Sequence, residues 1–190
     1  PAERRSFSGA PIERILAMAL APGGGVGIVE DAGDLSLIDD GERSSLEMPG
    51  MEGVFRPTAL FWDSKGGFWV GTQGGGAFHR SKPGASTQRF DITNGMRSNT
   101  VMCFSQDGRG QVWIGTIDGG AACVNNTSVR NYDLDNGLHG RFVRCLVRDR
   151  EGNMLLGTNE SGLDIFKGDR FVSYGEADGL NDQKVFAVLE

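Results

Sequence analysis

The chain is written as short apolar, β-prone runs set between turn residues, and one stretch shows the whole pattern. Val101-Met102-Cys103-Phe104 is ended by Asp107-Gly108-Arg109-Gly110, and a second β-prone run, Gln111 to Thr116, starts at once on the far side. That arrangement predicts a tight hairpin. Ile117-Asp118-Gly119-Gly120 makes the next turn, Ala121 to Val124 a third strand, Asn125-Asn126 another turn and Val129 to Tyr132 a fourth strand. No long stretch carries a helical stripe. The inner strands of the pattern, Ile15 to Leu20, Val101 to Phe104, Val143 to Val147 and Val185 to Leu189, are apolar at most positions. They are expected to be buried on both faces between neighbouring sheets.

The pattern repeats. Trp113-Ile114-Gly115-Thr116 recurs as Trp69-Val70-Gly71-Thr72 and, with the aromatic lost, as Leu155-Leu156-Gly157-Thr158, at spacings of 44 and 42 residues. Each copy follows an Asp-x-x-Gly turn (Asp63 to Gly66, Asp107 to Gly110, Asp149 to Gly152). Each precedes an aromatic and a Gly-apolar pair: Phe90 with Gly95-Met96, Tyr132 with Gly137-Leu138, Tyr174 with Gly179-Leu180. A worn first copy puts Val26-Gly27-Ile28-Val29-Glu30 in the tetrapeptide's place, 42 residues before Gly71. Self-similarity near 40 residues with four strands per unit predicts an all-β fold built of β-propeller blades, each a four-stranded antiparallel meander of about 42 residues. A two-sheet sandwich would instead show alternation and irregular spacing. Residues 1–190 then form a single propeller segment. Its blade units lie near 10–53, 54–96, 97–138 and 139–180, and 1–9 and 181–190 are parts of flanking blades. The segment is expected to be a partial propeller whose exposed end blades could support a homo-oligomer.

These motifs resemble the two-component regulator propeller repeat of large bacterial sensor proteins. The family's Gly-Leu loop, apolar strand, Asp-x-x-Gly, Trp-Ile-Gly-Thr and Gly-Gly are matched by Gly95 to Gly120 almost without a gap. The resemblance covers the chain strongly from about Thr58 onward and weakly from Phe7 to Gly53. Leu155 in place of Trp, and a first copy without Trp or Gly-Thr, depart from the pattern. Membership implies a periplasmic sensing region ahead of a transmembrane segment and a histidine kinase, neither of which is in this sequence.

Composition narrows the partners. The 190 residues carry a formal net charge of −6, which argues against a nucleic-acid surface. No apolar run reaches the length of a membrane span. Three cysteines without a Cys-x-x-Cys read as small packing residues, with Cys103 and Cys145 at equivalent inner-strand positions. Pro22 to Gly27 reads as a hairpin turn and not a phosphate loop, Asp133 to Gly137 as a connecting loop and not a calcium loop. The sequons at Asn125, Asn126 and Asn159 read as turn chemistry. No metal or other cofactor is expected.

Strand direction sorts the loops. The Asp-x-x-Gly and Asn125-Asn126 turns fall on one face, and the loops after Gly-Thr fall with the Gly-Leu loops on the other. On this second face one position varies while the frame repeats: Glu13, Phe55, Asn99, Arg141 and Gln183. Arg97, His139 and Asp182 lie beside it, and Gln73, Asp118, Asn159 and Glu160 come from the loops after Gly-Thr. A varied set on a fixed scaffold is what a binding surface requires. Phe55, Arg97, Asn99, Asp118, His139, Arg141, Asn159, Glu160, Asp182 and Gln183 are therefore the candidate contacts for a polar ligand such as a saccharide, or for a protein partner. A propeller lyase is the enzymatic alternative. It would need a base, and the two histidines, His79 and His139, fall in different blades and at different strand positions.

Overall fold

The computed structural model describes residues 12, 14–31, 33–51 and 55–189. They form four antiparallel four-stranded sheets, each from consecutive strands in chain order. Blade 1 holds β1 (Ile15–Leu20), β2 (Val26–Glu30), β3 (Leu35–Asp39) and β4 (Glu42–Ser45). Blade 2 holds β5 (Arg56–Trp62), β6 (Phe68–Gln73), β7 (Ala77–Arg80) and β8 (Gln88–Phe90). Blade 3 holds β9 (Val101–Gln106), β10 (Val112–Thr116), β11 (Ala121–Asn125) and β12 (Ser128–Tyr132). Blade 4 holds β13 (Val143–Arg148), β14 (Met154–Thr158), β15 (Leu163–Lys167) and β16 (Arg170–Tyr174). The only helical elements among the described residues are two single 3-10 turns, Leu134–Asn136 and Glu176–Asp178. The first strands of successive sheets, β1, β5, β9 and β13, pack side by side, which places them at the inner rim.

Each residue of the repeated tetrapeptide has a framework task. Trp113 is 1% exposed, stacks on Tyr132 at 4.8 Å and donates its indole N–H to Asp107 Oδ2 at 3.2 Å. Trp69 donates likewise to Asp63 Oδ2 at 2.9 Å. The other oxygen of the same aspartate closes the turn, accepting from Lys65 and Gly67 in blade 2 and from Arg109 and Gln111 in blade 3. The turn's glycine, Gly66, Gly110 or Gly152, has φ near +80 to +90°, a region that glycine enters without a Cβ clash. The threonine hydroxyl closes the opposite loop: Thr116 Oγ1 donates to Gly120 O at 2.8 Å and accepts from Gly119 N at 3.1 Å, and Thr72 and Thr158 do the same in their blades.

The worn copies are repaired by other residues. In blade 4, where Leu155 stands for the Trp, Asn153 Nδ2 donates to Asp149 Oδ2 at 2.6 Å in place of an indole. In blade 1 the Trp position is Gly27, and Trp62 from the next blade fills the space: a Cβ on Gly27 would lie 2.2 Å from its ring. The threonine position there is Glu30, 5% exposed and paired with Arg43, which also donates to Ser36 Oγ at 3.0 Å.

Two expectations are corrected. The most buried strands are the second ones, β10 throughout and β6 up to Gln73, whereas the inner strands are half-buried. An inner strand is the edge of its sheet, so neighbours cover it incompletely, and β9 and β13 are of intermediate burial at most positions. Val185 to Leu189 is not a strand. It runs along blade 4, with Val185 N donating to Thr158 O at 2.8 Å. Phe7, Gly9 and Glu13 lie outside the described residues.

His79 is a framework residue of blade 2. Its ring stacks on Trp69 at 4.2 Å, and its Nε2 lies 3.4 Å from Asp63 Oδ2 without making a hydrogen bond. Burial holds its pKa below the ordinary value, and the nearby Asp63 charge offsets this only in part. The unfolded chain therefore binds this proton more readily than the native one, so stability is complete above the ordinary histidine pKa near 6.5 and falls as pH drops below it. Denaturation midpoints at pH 7.5 and pH 5 should show a larger acid loss in the wild type than in His79→Phe. Equal losses would refute this.

Candidate functional site

The loops after the second strand and the Gly-apolar loops do share a face, and backbone hydrogen bonds lock them together. Gly76 N donates to Asn99 O at 2.8 Å, Gly120 N to Arg141 O at 2.8 Å and Gly162 N to Gln183 O at 2.7 Å. This explains the variable position. Its carbonyl is fixed by the frame at every repeat, and its side chain is left for other work. The glycines are required here, because a Cβ on Gly76, Gly120 or Gly162 would lie 2.1 to 2.3 Å from the carbonyl oxygen of Phe90, Tyr132 or Tyr174.

Three candidate side chains converge. Arg97, Asp118 and Arg141 line a polar pocket of about 330 Å³ together with Gly119, Asp133 and Asp135. Asp133 begins the connecting loop: its carboxylate caps the Leu134–Asn136 turn by accepting from Asp135 N at 2.9 Å, and Gly137 ends the turn at φ 95°. Arg97 is anchored to Asp133 and lies 3.7 Å from Asp135 Oδ2. The guanidinium of Arg141 and the carboxylate of Asp118 are exposed and have no partner among the described residues. The pocket thus offers an anchored cation, an unengaged cation and an unengaged carboxylate.

The other candidates are placed differently. Asn99 Oδ1 accepts from Ile92 N at 2.9 Å, and Asn159 Oδ1 from Arg144 Nε at 2.8 Å, so both side chains are engaged in loop structure. Glu160 Oε1 caps the amides of Arg141 and Phe142 at 2.5 and 2.9 Å, which holds the pocket loop from the blade 4 side. Phe55 is half-buried between Phe78, 6.0 Å away, and the Arg89 guanidinium, 4.9 Å from its ring. Asp182 accepts from Lys184 N at 3.0 Å, and both it and Gln183 are exposed. Gln73 is exposed at the end of β6. His139 stands apart from the pocket over Asp164 and Ser173, two residues the sequence pattern did not single out. Comparing third strands would have found Asp164, which falls where Phe78 and Ala122 stand.

A wider cleft of about 500 Å³ opens on the opposite face, between blades 3 and 4. Its floor is framework, including Trp113 and Tyr132, and no variable loop residue reaches it. Burial pushes the Cys123 thiol up to about 12 and raises Cys103 and Cys145 as well, which disfavours their thiolate forms.

Four meanders packed inner strand to inner strand define this segment as part of a β-propeller. The sequence model of the two component regulator propeller matches residues 95–118 and 137–160 of this chain. No curated protein matches it in sequence. Among solved structures it is similar to the extracellular domain of a B. thetaiotaomicron protein named as a hybrid two component system. The TM-score there is 0.77 at 20% identity, over 88% of this chain and 24% of that one. The extracellular domain of a B. thetaiotaomicron one component system matches with TM-score 0.69 at 19% identity, over 90% and 26%. Virginiamycin B lyase from Staphylococcus aureus matches with TM-score 0.70 at 13% identity, over 85% and 55%. At these identities the likeness is one of fold. The chain spans about a quarter of each of the two B. thetaiotaomicron chains and about half of the lyase.

Proposed function

We propose that this segment is the non-catalytic, ligand-binding part of an extracytoplasmic sensor propeller of a bacterial two-component system, and that a polar ligand, a saccharide in the first instance, binds in the pocket of Arg97, Asp118 and Arg141. The observation that carries this reading is the unengaged pair in that pocket. Arg141 and Asp118 face one small space on a backbone fixed by the frame, and a hydroxylated ligand can donate to one and accept from the other. The repeat family and the two-component relatives support a sensory role, and a periplasmic location follows from that reading. No helix among the described residues is long and apolar enough to cross a membrane. Signal output would therefore need a module attached elsewhere in the polypeptide.

Calorimetric titration with a panel of neutral and acidic saccharides tests the pocket. Arg141→Ala should weaken the best binder about 10- to 100-fold, the size expected for a hydrogen bond to a charged group. Unchanged affinity in Arg141→Ala and in Asp118→Ala would overturn the assignment. A rigid protein-interaction platform is the second reading, favoured by exposed Met18 and Leu20 on β1. It predicts capture of a protein partner and no saccharide binding.

A further inference from the structure

One register of the sheets carries a cross-strand pair whose chemistry changes from blade to blade. Third and fourth strands place Ser36 opposite Ser45, Phe78 opposite Arg89, Ala122 opposite Asn131 and Asp164 opposite Ser173. In blades 2 and 3 the third-strand residue is apolar and 2% exposed. In blade 4 it is a carboxylate with no exposed surface at all. The frame does not need a charge there, since Phe78 and Ala122 fill the position. A buried carboxylate is also costly unless it is closely hydrogen-bonded.

Its partners come from the loop face. His139 N donates to Asp164 Oδ2 at 3.2 Å, His139 Nδ1 lies 3.2 Å from Asp164 Oδ1, and Ser173 Oγ donates to the same Oδ1. Ser173 Oγ also lies 2.5 Å from His139 Nδ1. Counting protons assigns the tautomer. The one hydroxyl hydrogen of Ser173 is committed to the carboxylate, so the hydroxyl oxygen must accept from Nδ1–H. A neutral ring with its proton on Nδ1 keeps a lone pair on Nε2. That side chain is 60% exposed on the loop face. The serine shares the nitrogen that faces the aspartate, so it is not poised as a nucleophile with the ring as its base.

We propose that blade 4 carries a second ligand contact, in which His139 Nε2 accepts a hydrogen bond from a hydroxyl of a polyhydroxylated ligand, with Asp164 and Ser173 as the positioning residues that fix the ring. This rests on the reading of the face as a saccharide-binding surface and adds to it a site over the third and fourth strands of blade 4, apart from the residues that line the Arg141 pocket. Asp164 orients the imidazole and holds its proton on the inner nitrogen, so no ring rotation or proton shift is needed when the hydroxyl arrives.

The test uses protein labelled with 15N at histidine and long-range proton–nitrogen correlation spectra, with His79→Phe assigning the two rings. The neutral His139 ring should show a protonated Nδ1 and a bare Nε2. Titration with neutral cello- and xylo-oligosaccharides should move the Nε2 resonance more than the Nδ1 resonance. Asp164→Asn should mix the tautomers and weaken binding about tenfold. Ser173→Ala, the milder change, should shift the tautomer in the same direction with the melting temperature nearly kept, so a folding defect in Asp164→Asn leaves a second readout. A wild-type ring protonated on Nε2, an Nε2 resonance that does not respond to the sugars, or no binding of these sugars would each overturn the proposal. The pocket reading fails separately, when Arg141→Ala binds as tightly as wild type.

Discussion

Trp113→Ala is expected to destabilise the protein by about 3–5 kcal/mol, the usual cost of removing a large aromatic from a closed site. The indole is 1% exposed and packs on Tyr132 at 4.8 Å and Phe166 at 5.0 Å, so little can collapse into the space it leaves. A second loss adds to the cavity. Its N–H satisfies Asp107 Oδ2, and without it the carboxylate that closes the β9–β10 turn loses a partner. Trp113→Phe separates the two terms: it keeps most of the ring and removes the donor, and should cost about 1–2 kcal/mol. Against a total stability of roughly 5–15 kcal/mol for a domain, the alanine variant should be close to unfolding in mild denaturant. Leu155→Ala is the control, since Leu155 is half-buried and Asn153 already serves the equivalent aspartate. Urea denaturation followed by fluorescence or circular dichroism reads all three. A Trp113→Ala loss no larger than that of Leu155→Ala would show that the tryptophan is not the anchor of blade 3.

The residues that repeat were the ones legible in the sequence. Asp-x-x-Gly, Trp-x-Gly-Thr and the Gly-apolar loop encode local turns and a second strand covered on both faces, and Ile15–Leu20 forms its strand with the boundaries its pattern predicts. What was not legible depends on contacts between repeats. Leu155 reads as a lost aromatic until Asn153 is seen on Asp149, and Gly27 reads as a lost Trp until Trp62 of the next blade is seen in its place. At the candidate site, spacing placed Arg97, Asp118 and Arg141 on one face, and the structure brings them to one pocket. Asn99 and Asn159 share that face, yet their amides are spent on loop hydrogen bonds that no periodicity reveals. Asp164 was not legible because it lies within a strand, β15, whereas the positions that vary against the repeated frame lie in loops.

The second large effect concerns the glycine of the tetrapeptide. Gly115→Ala removes backbone freedom from the unfolded chain, which by itself stabilises by about 0.4–1 kcal/mol. The native site decides against it. A Cβ there would lie 2.5 Å from Cys103 Sγ, 2.9 Å from Val143 Cγ1 and 3.1 Å from Val143 O. Cys103 is the cross-strand partner of Gly115 within blade 3, but Val143 opens the inner strand of blade 4. The methyl group would therefore wedge the two blades apart, and overpacking of this kind costs about 1–3 kcal/mol, more for Gly115→Val. Gly157 meets Cys145 and Val185 in the same way, and Gly71 meets Val101, so the tetrapeptide glycine sets blade spacing along the chain. Blade 1 shows how the position can be relieved. It holds Val29, 0% exposed, opposite Ala17 in place of a cysteine. Cys103→Ala should accordingly recover part of the Gly115→Ala loss, a coupling that a double-mutant cycle in urea measures. Strict additivity of the two changes would mean that the wedge acts on Val143 and the blade 4 backbone alone.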